Sequence, residues 1–424
     1  MKRYFLPILL LLSVLTACDD TLSSSLTRHT VSFAVNLPDE IEPESAINGR
    51  ITFRNVSTGA ETVGTPEETV TLIPGLYDFA YQATALLATG AETTLRFTRN
   101  SVNIRGDITL TVNPFSYIES NDLIIAEIFF AGTLNPSGIS YSGDDYIKLY
   151  NNTDDVIYAD GLALVESKFS TTQKYDYTPD IMDEAVTVDA IYVIPGSGCE
   201  HPVKPGEYLL LADTGIDHTR LNPYSFNLEH ADFEWYDVST SPAHLDIDSP
   251  TVPNLDKWYC YTHSYFMLHN RGFKAYGLAR IAVEKDEYLR DYKYDYEYTV
   301  VTDAGSFPMS GTAYKIPNDW VVDMVNCSLK ASYVWVVCAP MLDMGWTSCG
   351  EIDKDKDRFF HSVRRKLLYL NQYGNPVFKD TNNSTADFNR DCVASEIELA
   401  GSVMDATGTC CTCITYDGLT PIAQ

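Results

Sequence analysis

The sequence is short of positive charge, of long apolar runs and of the brief motifs that carry catalysis. Thirty Lys and Arg stand against 58 Asp and Glu in 424 residues, a formal net charge of −28. The largest compact basic patch is Arg364-Arg365-Lys366. Such a surface repels phosphate backbones, so nucleic acid is not an expected partner. Excess acid marks a bound cation, a cationic partner or plain solubility, and solubility is the simplest of the three. The sequence has no G-x-S-x-G elbow, no H-E-x-x-H pair and no Walker-type loop. Zinc-ribbon spacing of cysteines is missing too, and neither a metal nor a cofactor is expected. After the first twenty residues no apolar run approaches the length of a membrane span.

What is present begins at the N-terminus. Lys2 and Arg3 precede an almost unbroken apolar run from Tyr4 to Thr16, about the length of a signal-peptide core. Leu15, Thr16, Ala17 and Cys18 follow, then Asp19 and Asp20. This stretch resembles the lipobox of bacterial lipoproteins, in which the Cys thiol takes a diacylglycerol. The resemblance implies a signal peptide at 1–17, a lipidated Cys18 and a polar tether at 18–29. The mature chain is then held by lipid at the cell envelope, on the periplasmic or the cell-surface side of the outer membrane. Nine further cysteines remain, an odd number, so at least one is free or pairs between molecules. Cys410, Cys411 and Cys413 lie in a Ser/Thr/Gly-rich tail (396–424) that suits disulfide formation or simple variability better than a metal clasp.

Residues 30–113 read as a small β-sandwich. Val31 to Leu37, Ile51 to Val56 and Asp107 to Val112 alternate apolar and polar residues, with Gly and Pro between the strands. Val70 to Phe79 contains Pro74-Gly75 followed by Tyr77, and resembles a hairpin of transthyretin-like and carboxypeptidase-regulatory-like domains. That resemblance implies a spacer near the anchor.

Residues 121–395 carry a second pattern. Leu123 to Phe130, Asp145 to Asn152, Val156 to Leu164, Lys204 to Ala212 and Phe266 to Leu278 follow one another as strand-like runs. Tyr208 to Ala212 is an apolar run suited to a strand covered on both faces. Asp319 to Val325, Ser362 to Arg365 and Asp380 to Phe388 close the series. In order these segments resemble the lamin-tail domain, an immunoglobulin-like β-sandwich, with Lys148 where that family usually has Glu and with long insertions. The whole chain resembles a family of Bacteroidetes-type lipoproteins of unassigned function. The expected fold is mostly β: a small sandwich, then an enlarged lamin-tail-like sandwich.

Several places could bear a site. Asp353 to Asp357 imitates a calcium loop, but Arg358 and Arg364 replace its Gly and closing Glu, which favours a solvated charged turn. His218, His230 and His244 share an acidic insertion without regular metal-ligand spacing. Tyr292, Tyr294, Tyr296 and Tyr298 alternate with polar residues and predict a strand with one tyrosine face. Aromatics crowd the stretch from Phe233 to Phe266, and Trp235, Tyr236, Trp258, Tyr259 and Tyr261 are the expected ligand-binding residues. The expected role is non-enzymatic: a binding or adaptor lipoprotein for a glycan or protein ligand, with an outer-membrane transporter as a candidate neighbour. The alternative is an exported hydrolase or hydrolase accessory, because lamin-tail domains are often joined to exported hydrolases.

Overall fold

Alternation of apolar residues decides the fold of the first unit. In the strand Gly75–Leu86 every second side chain from Tyr77 to Ala85 is buried. A fully buried aromatic of this kind contributes about 1.5–3 kcal/mol. This computed structural model describes residues 27–37, 41, 46–86, 92–117, 121–239, 246–262, 265–370 and 374–401. The expected signal segment, Cys18, His244 and the three cysteines of the C-terminal tail lie outside the described residues.

Two sheets make the first unit. One has the order Val70–Leu72, His29–Val35, Ile108–Val112, the last pair parallel. The other has the order Glu61–Gly64, Ile47–Asn55, Gly75–Leu86, Glu92–Ile104, Phe115–Tyr117. Phe33, Phe53 and Phe79 meet between them, with ring centroids 4.9–6.1 Å apart. The strand Phe115–Tyr117 carries this sheet past residue 113, where the sequence had suggested that the unit ends.

Two larger sheets follow. The six-stranded one runs Phe233–Glu234, Tyr208–Ala212, Tyr146–Tyr150, Ile124–Phe129, His361–Arg365, Phe388–Val393. Facing it is a sheet ordered Lys293–Thr302, Gly305–Pro317, Ala185–Val193, Leu162–Ser167, Ala275–Arg280, Val321–Ser328, Thr347–Ser348. The short strand Asp256–Cys260 also pairs with Ala185–Val193. Ile147, Leu149, Leu209, Leu211, Leu164, Leu278 and Val325 fill the space between the sheets. The outer faces are covered as well. Leu210 and Ala212 pack with Phe226 and Ile397 on one side, so the apolar run at Tyr208–Ala212 is buried on both faces after Tyr208 itself. On the other side Tyr288 of the helix Lys285–Asp291 packs with Tyr314 and Ile316. No helix of the described residues is long and apolar enough to cross a membrane.

The polar residues of the sequence motifs turn out to be fasteners. Glu127 accepts hydrogen bonds from Tyr146 Oη (2.9 Å), Ser362 Oγ (2.6 Å) and the Ser395 amide (2.9 Å). Arg365 is 2% exposed and joins Asp323 (2.7 Å), Asp380 (3.0 Å) and the Ile125 carbonyl (2.8 Å). Asp387 gathers the amides of Thr381 and Asn383. Glu127, Arg365 and Asp387 each therefore have several partners, the condition under which a buried charge is tolerated. Lys148 is matched by Glu396, 2.5 Å away, in the helix Ser395–Ala400.

Candidate functional site

The five aromatic residues expected to bind a ligand do not share a surface. Trp235 is 0% exposed and packs edge-on to Phe266 in the core between the two large sheets. The reason is periodicity. Phe233 and Trp235 flank Glu234 beside the strand Tyr208–Ala212, and both point inward. The expectation of Trp235 as a ligand anchor is thus corrected: it is core. Trp258 and Tyr259 lie beyond the other sheet, half-buried against Tyr288 (5.9 Å) and Tyr314 (4.5 Å). Tyr236 is half-buried. Tyr261 is 47% exposed, with the ammonium groups of Lys168 and Lys274 5.9 and 5.8 Å from its ring centroid.

The histidines of the insertion do not converge either. His218 is buried; its Nε2 donates to the Thr214 carbonyl (2.8 Å), so Nδ1 accepts from Tyr141 Oη (2.7 Å). Burial pushes its pKa down to about 4, and the ring is neutral. His230 instead pairs with Glu396 at 2.9 Å. The Asp353–Asp357 turn is closed by Arg358, whose Nη1 donates to the carbonyls of Asp353 (2.9 Å) and Asp355 (2.6 Å). It is a charged turn.

Among the described residues, Asp160, Glu200 and His201 bring three ligand-type atoms within 4.8 Å of one another. Their geometry is that of a loop clasp. The Asp160 carboxylate accepts the amides of Gly198 (3.2 Å), Glu200 (2.9 Å) and His201 (2.9 Å). Burial is the largest single influence and raises its pKa, but the backbone amides together outweigh it and hold the carboxyl below the usual carboxylate range.

A more capable feature is an open cleft of about 840 Å³ between the five-stranded sheet of the first unit and the outer face of the larger sheet. Arg54, Asp78 and Arg99 line it from the first unit, and Tyr175, Tyr177 and Trp346 from the second. Phe169 and Tyr177 stack at 3.8 Å, and Tyr333 and Trp346 at 4.2 Å. Arg390 lies 4.5 Å over the Trp346 ring. Trp335 is buried and donates Nε1–H to the Ser170 and Gln173 carbonyls, both at 2.8 Å, which ties the loop bearing Tyr175 to the segment that follows the strand Val321–Ser328. The expected tyrosine face forms: Tyr296 meets Phe169 and Tyr177, and Tyr298 meets Tyr175 at 4.8 Å. Its cover comes from that loop. Burial and neighbouring tyrosines push the Tyr177 phenol well up, and burial with Asp343 and Asp78 does the same to Tyr333. Both stay protonated and can donate.

No local pattern of residues marks this cleft, because its lining is drawn from residues 52 to 385. Only the alternation at 292–298 was visible beforehand.

With this geometry in hand, comparison with known proteins adds a family likeness. Residues 204–395 match the model of DUF4876, a protein family of unknown function. The DUF4876-like region spans less than half of the chain and includes the strands from Tyr208–Ala212 to Phe388–Val393. The crystal structure of a DUF4876 family protein from Bacteroides thetaiotaomicron VPI-5482, at 2.50 Å resolution, is similar with a TM-score of 0.53 and 20% identity. The alignment covers 86% of this chain and 96% of that one, and shows a shared mostly β fold. A Ca2+-stabilized adhesin of an Antarctic bacterium that binds ice overlaps with a TM-score of only 0.10 at 10% identity, over 68% of this chain and 73% of the adhesin, and carries no argument. None of the curated proteins matches this chain.

Proposed function

We propose that the chain is a lipid-anchored, non-enzymatic binding lipoprotein of the cell envelope, and that its ligand is a glycan held in the aromatic cleft. The observation that carries this reading is the group of aromatic side chains Tyr175, Tyr177, Tyr333 and Trp346 that line one open cleft together with Arg54, Asp78 and Arg99. Sugar rings offer an apolar C–H face and a polar edge. Aromatic faces take the first, while protonated phenols and Arg, Lys or Asp side chains take the second. The signal-like run before Cys18 supports a lipid anchor for such a module at the outer membrane, beside a transporter or another envelope partner. The open mouth of the cleft suits a chain that continues beyond the site.

The test is binding of defined oligosaccharides to the full chain, by array and then by calorimetry. Tyr175→Ala and Trp346→Ala are expected to weaken binding about tenfold or more each, on the order of 2 kcal/mol for a truncated hot spot. Unfolding temperatures are expected to stay close to that of the parent. Equal affinity in both variants removes the cleft as the site. Cleavage of the bound oligosaccharide during incubation favours the hydrolase reading instead.

A further inference from the structure

The strand pair Tyr146–Tyr150 and Tyr208–Ala212 ends in carboxylates that nothing in the fold explains. Tyr146 pairs with Ala212, so the next cross-strand pair is Asp145 and Asp213, joined by the Asp213 amide donating to the Asp145 carbonyl at 2.8 Å. Ile147 and Leu211 point inward, and period-two alternation turns Asp145 and Asp213 inward as well. Their Cβ atoms are then roughly 5 Å apart. Asp144 follows on the other face. Asp144 and Asp145 are 0% exposed and Asp213 is 6% exposed.

Four carboxylate oxygens of these three residues have no hydrogen-bond partner: Asp144 Oδ1, both oxygens of Asp145, and Asp213 Oδ2. The Gly132 amide lies near Asp145, and the Trp235 indole near Asp213, but neither reaches hydrogen-bonding geometry. The remaining oxygens are held. Thr133 and Ser225 donate to Asp144 Oδ2 at 2.6 and 2.5 Å, and Thr214 donates to Asp213 Oδ1 at 3.3 Å. One oxygen fixed by a hydroxyl and the other left bare is the arrangement of a carboxylate oriented for a cation. Protein cations do not supply the charge. Lys257 is committed to Asp237 at 2.8 Å, and both ring nitrogens of His218 are occupied. Burial, with repulsion from neighbouring aspartates, pushes the Asp145 and Asp213 carboxyls well above the usual range. A buried carboxylate without a partner is kept either by taking up a proton or by holding a cation, and the cation lets both aspartates stay ionised.

We propose that the inward-facing pair Asp145 and Asp213 binds calcium at the end of the large sandwich. All the bare donors are oxygens, which selects a hard cation over zinc or copper. Calcium accepts irregular sets of six to eight oxygens at about 2.3–2.6 Å, so carbonyls and water complete the shell around carboxylates that draw together on binding. This role is separate from the cleft, and the ion would lock the two strand ends to each other.

The experiment uses the full chain, first stripped with EGTA. Adding 1 mM Ca2+ is expected to raise the unfolding temperature by at least 5 °C, with little effect from 1 mM Mg2+. Tb3+ in place of Ca2+ is expected to luminesce on excitation of tryptophan, since Trp235 adjoins Asp213. Asp145→Asn and Asp213→Asn relieve the repulsion without changing shape. Their EGTA-treated unfolding temperatures should therefore match or exceed that of the parent, while both cation responses disappear. Absence of any Ca2+ shift and Tb3+ signal in the parent overturns the proposal, independently of whether a variant folds. So does a Tb3+ signal that survives in both variants but is lost in Asp160→Asn.

Discussion

Truncating Trp235 separates a core residue from a binding residue by magnitude alone. A buried tryptophan removes about 150–250 Å² from water, worth about 4–6 kcal/mol at 25 cal/mol per Å². That figure is an upper value, because an unfolded chain already buries some of this surface. The indole Nε1–H is also without a hydrogen-bond partner, and losing an unsatisfied donor returns about 1 kcal/mol. The expected cost of Trp235→Ala is therefore about 3–4 kcal/mol, within the range for such changes in packed cores. In a unit of this size that lowers the unfolding temperature by roughly 10 °C. Tyr261→Ala serves as the internal comparison. Its ring is half exposed, and the expected loss is below about 0.5 kcal/mol. The assay is urea and thermal unfolding followed by tryptophan fluorescence and far-UV circular dichroism. A Trp235→Ala chain that melts within 2 °C of the parent would refute the placement of this residue and of the strand that carries it.

Arg365→Met should cost about 3–5 kcal/mol in the same assay, because it strands Asp323 and Asp380 in the interior; a neutral result would show that Arg365 is not buried with them. The pair His230–Glu396 gives a pH signature. The Glu396 hydrogen bond raises the His230 pKa above 6.5, so its contribution is complete below pH 6.5 and fades as pH rises through the raised value. Burial pushes Glu396 up, but His230 and Lys148 hold it below 4.5, so its contribution is complete above pH 4.5 and fades as pH falls through the lowered value. The stability gap between parent and His230→Gln should be greatest between these limits and close by about pH 8.5; an equal gap at pH 5.5 and 8.5 contradicts the pairing. If Cys18 carries lipid, Cys18→Ala should abolish labelling by fatty acid and leave uncleaved precursor. Limited proteolysis should release a stable fragment that begins between Tyr117 and Leu123, and intact resistance there would argue against two separately packed units.

Much of the architecture was legible because strands announce themselves by period and burial. The run at Tyr208–Ala212 demanded cover on both faces and has it. The segments around Glu127, Asp323, Arg365 and Asp387 stood out as motifs, and their hydrogen bonds to one another give the physical reason. Trp235 was misread because density of aromatics in sequence says nothing about which neighbour lies opposite. It took the pairing of Leu211 with Phe233 to set that face. The cleft was invisible for a different cause, since Asp78, Tyr177 and Trp346 are remote in sequence. Nothing in the local sequence sets Asp144, Asp145 and Asp213 apart from solvated acids, and only their burial distinguishes them.

The place of Ile124–Phe129 in its sheet bears on how the chain comes together. One neighbour, Tyr146–Tyr150, follows within a short stretch, and that pairing can form as soon as both segments exist. The other, His361–Arg365, arrives about 235 residues later. Until then the strand presents a bare edge of amides and carbonyls, which is a template for pairing with another copy. Contacts so distant along the chain also make folding slow. The small first unit, whose strands lie within residues 29–117, can close early and on its own. The second unit must wait for its last strands, so during synthesis a helper that masks edges should act on residues 123–150 above all.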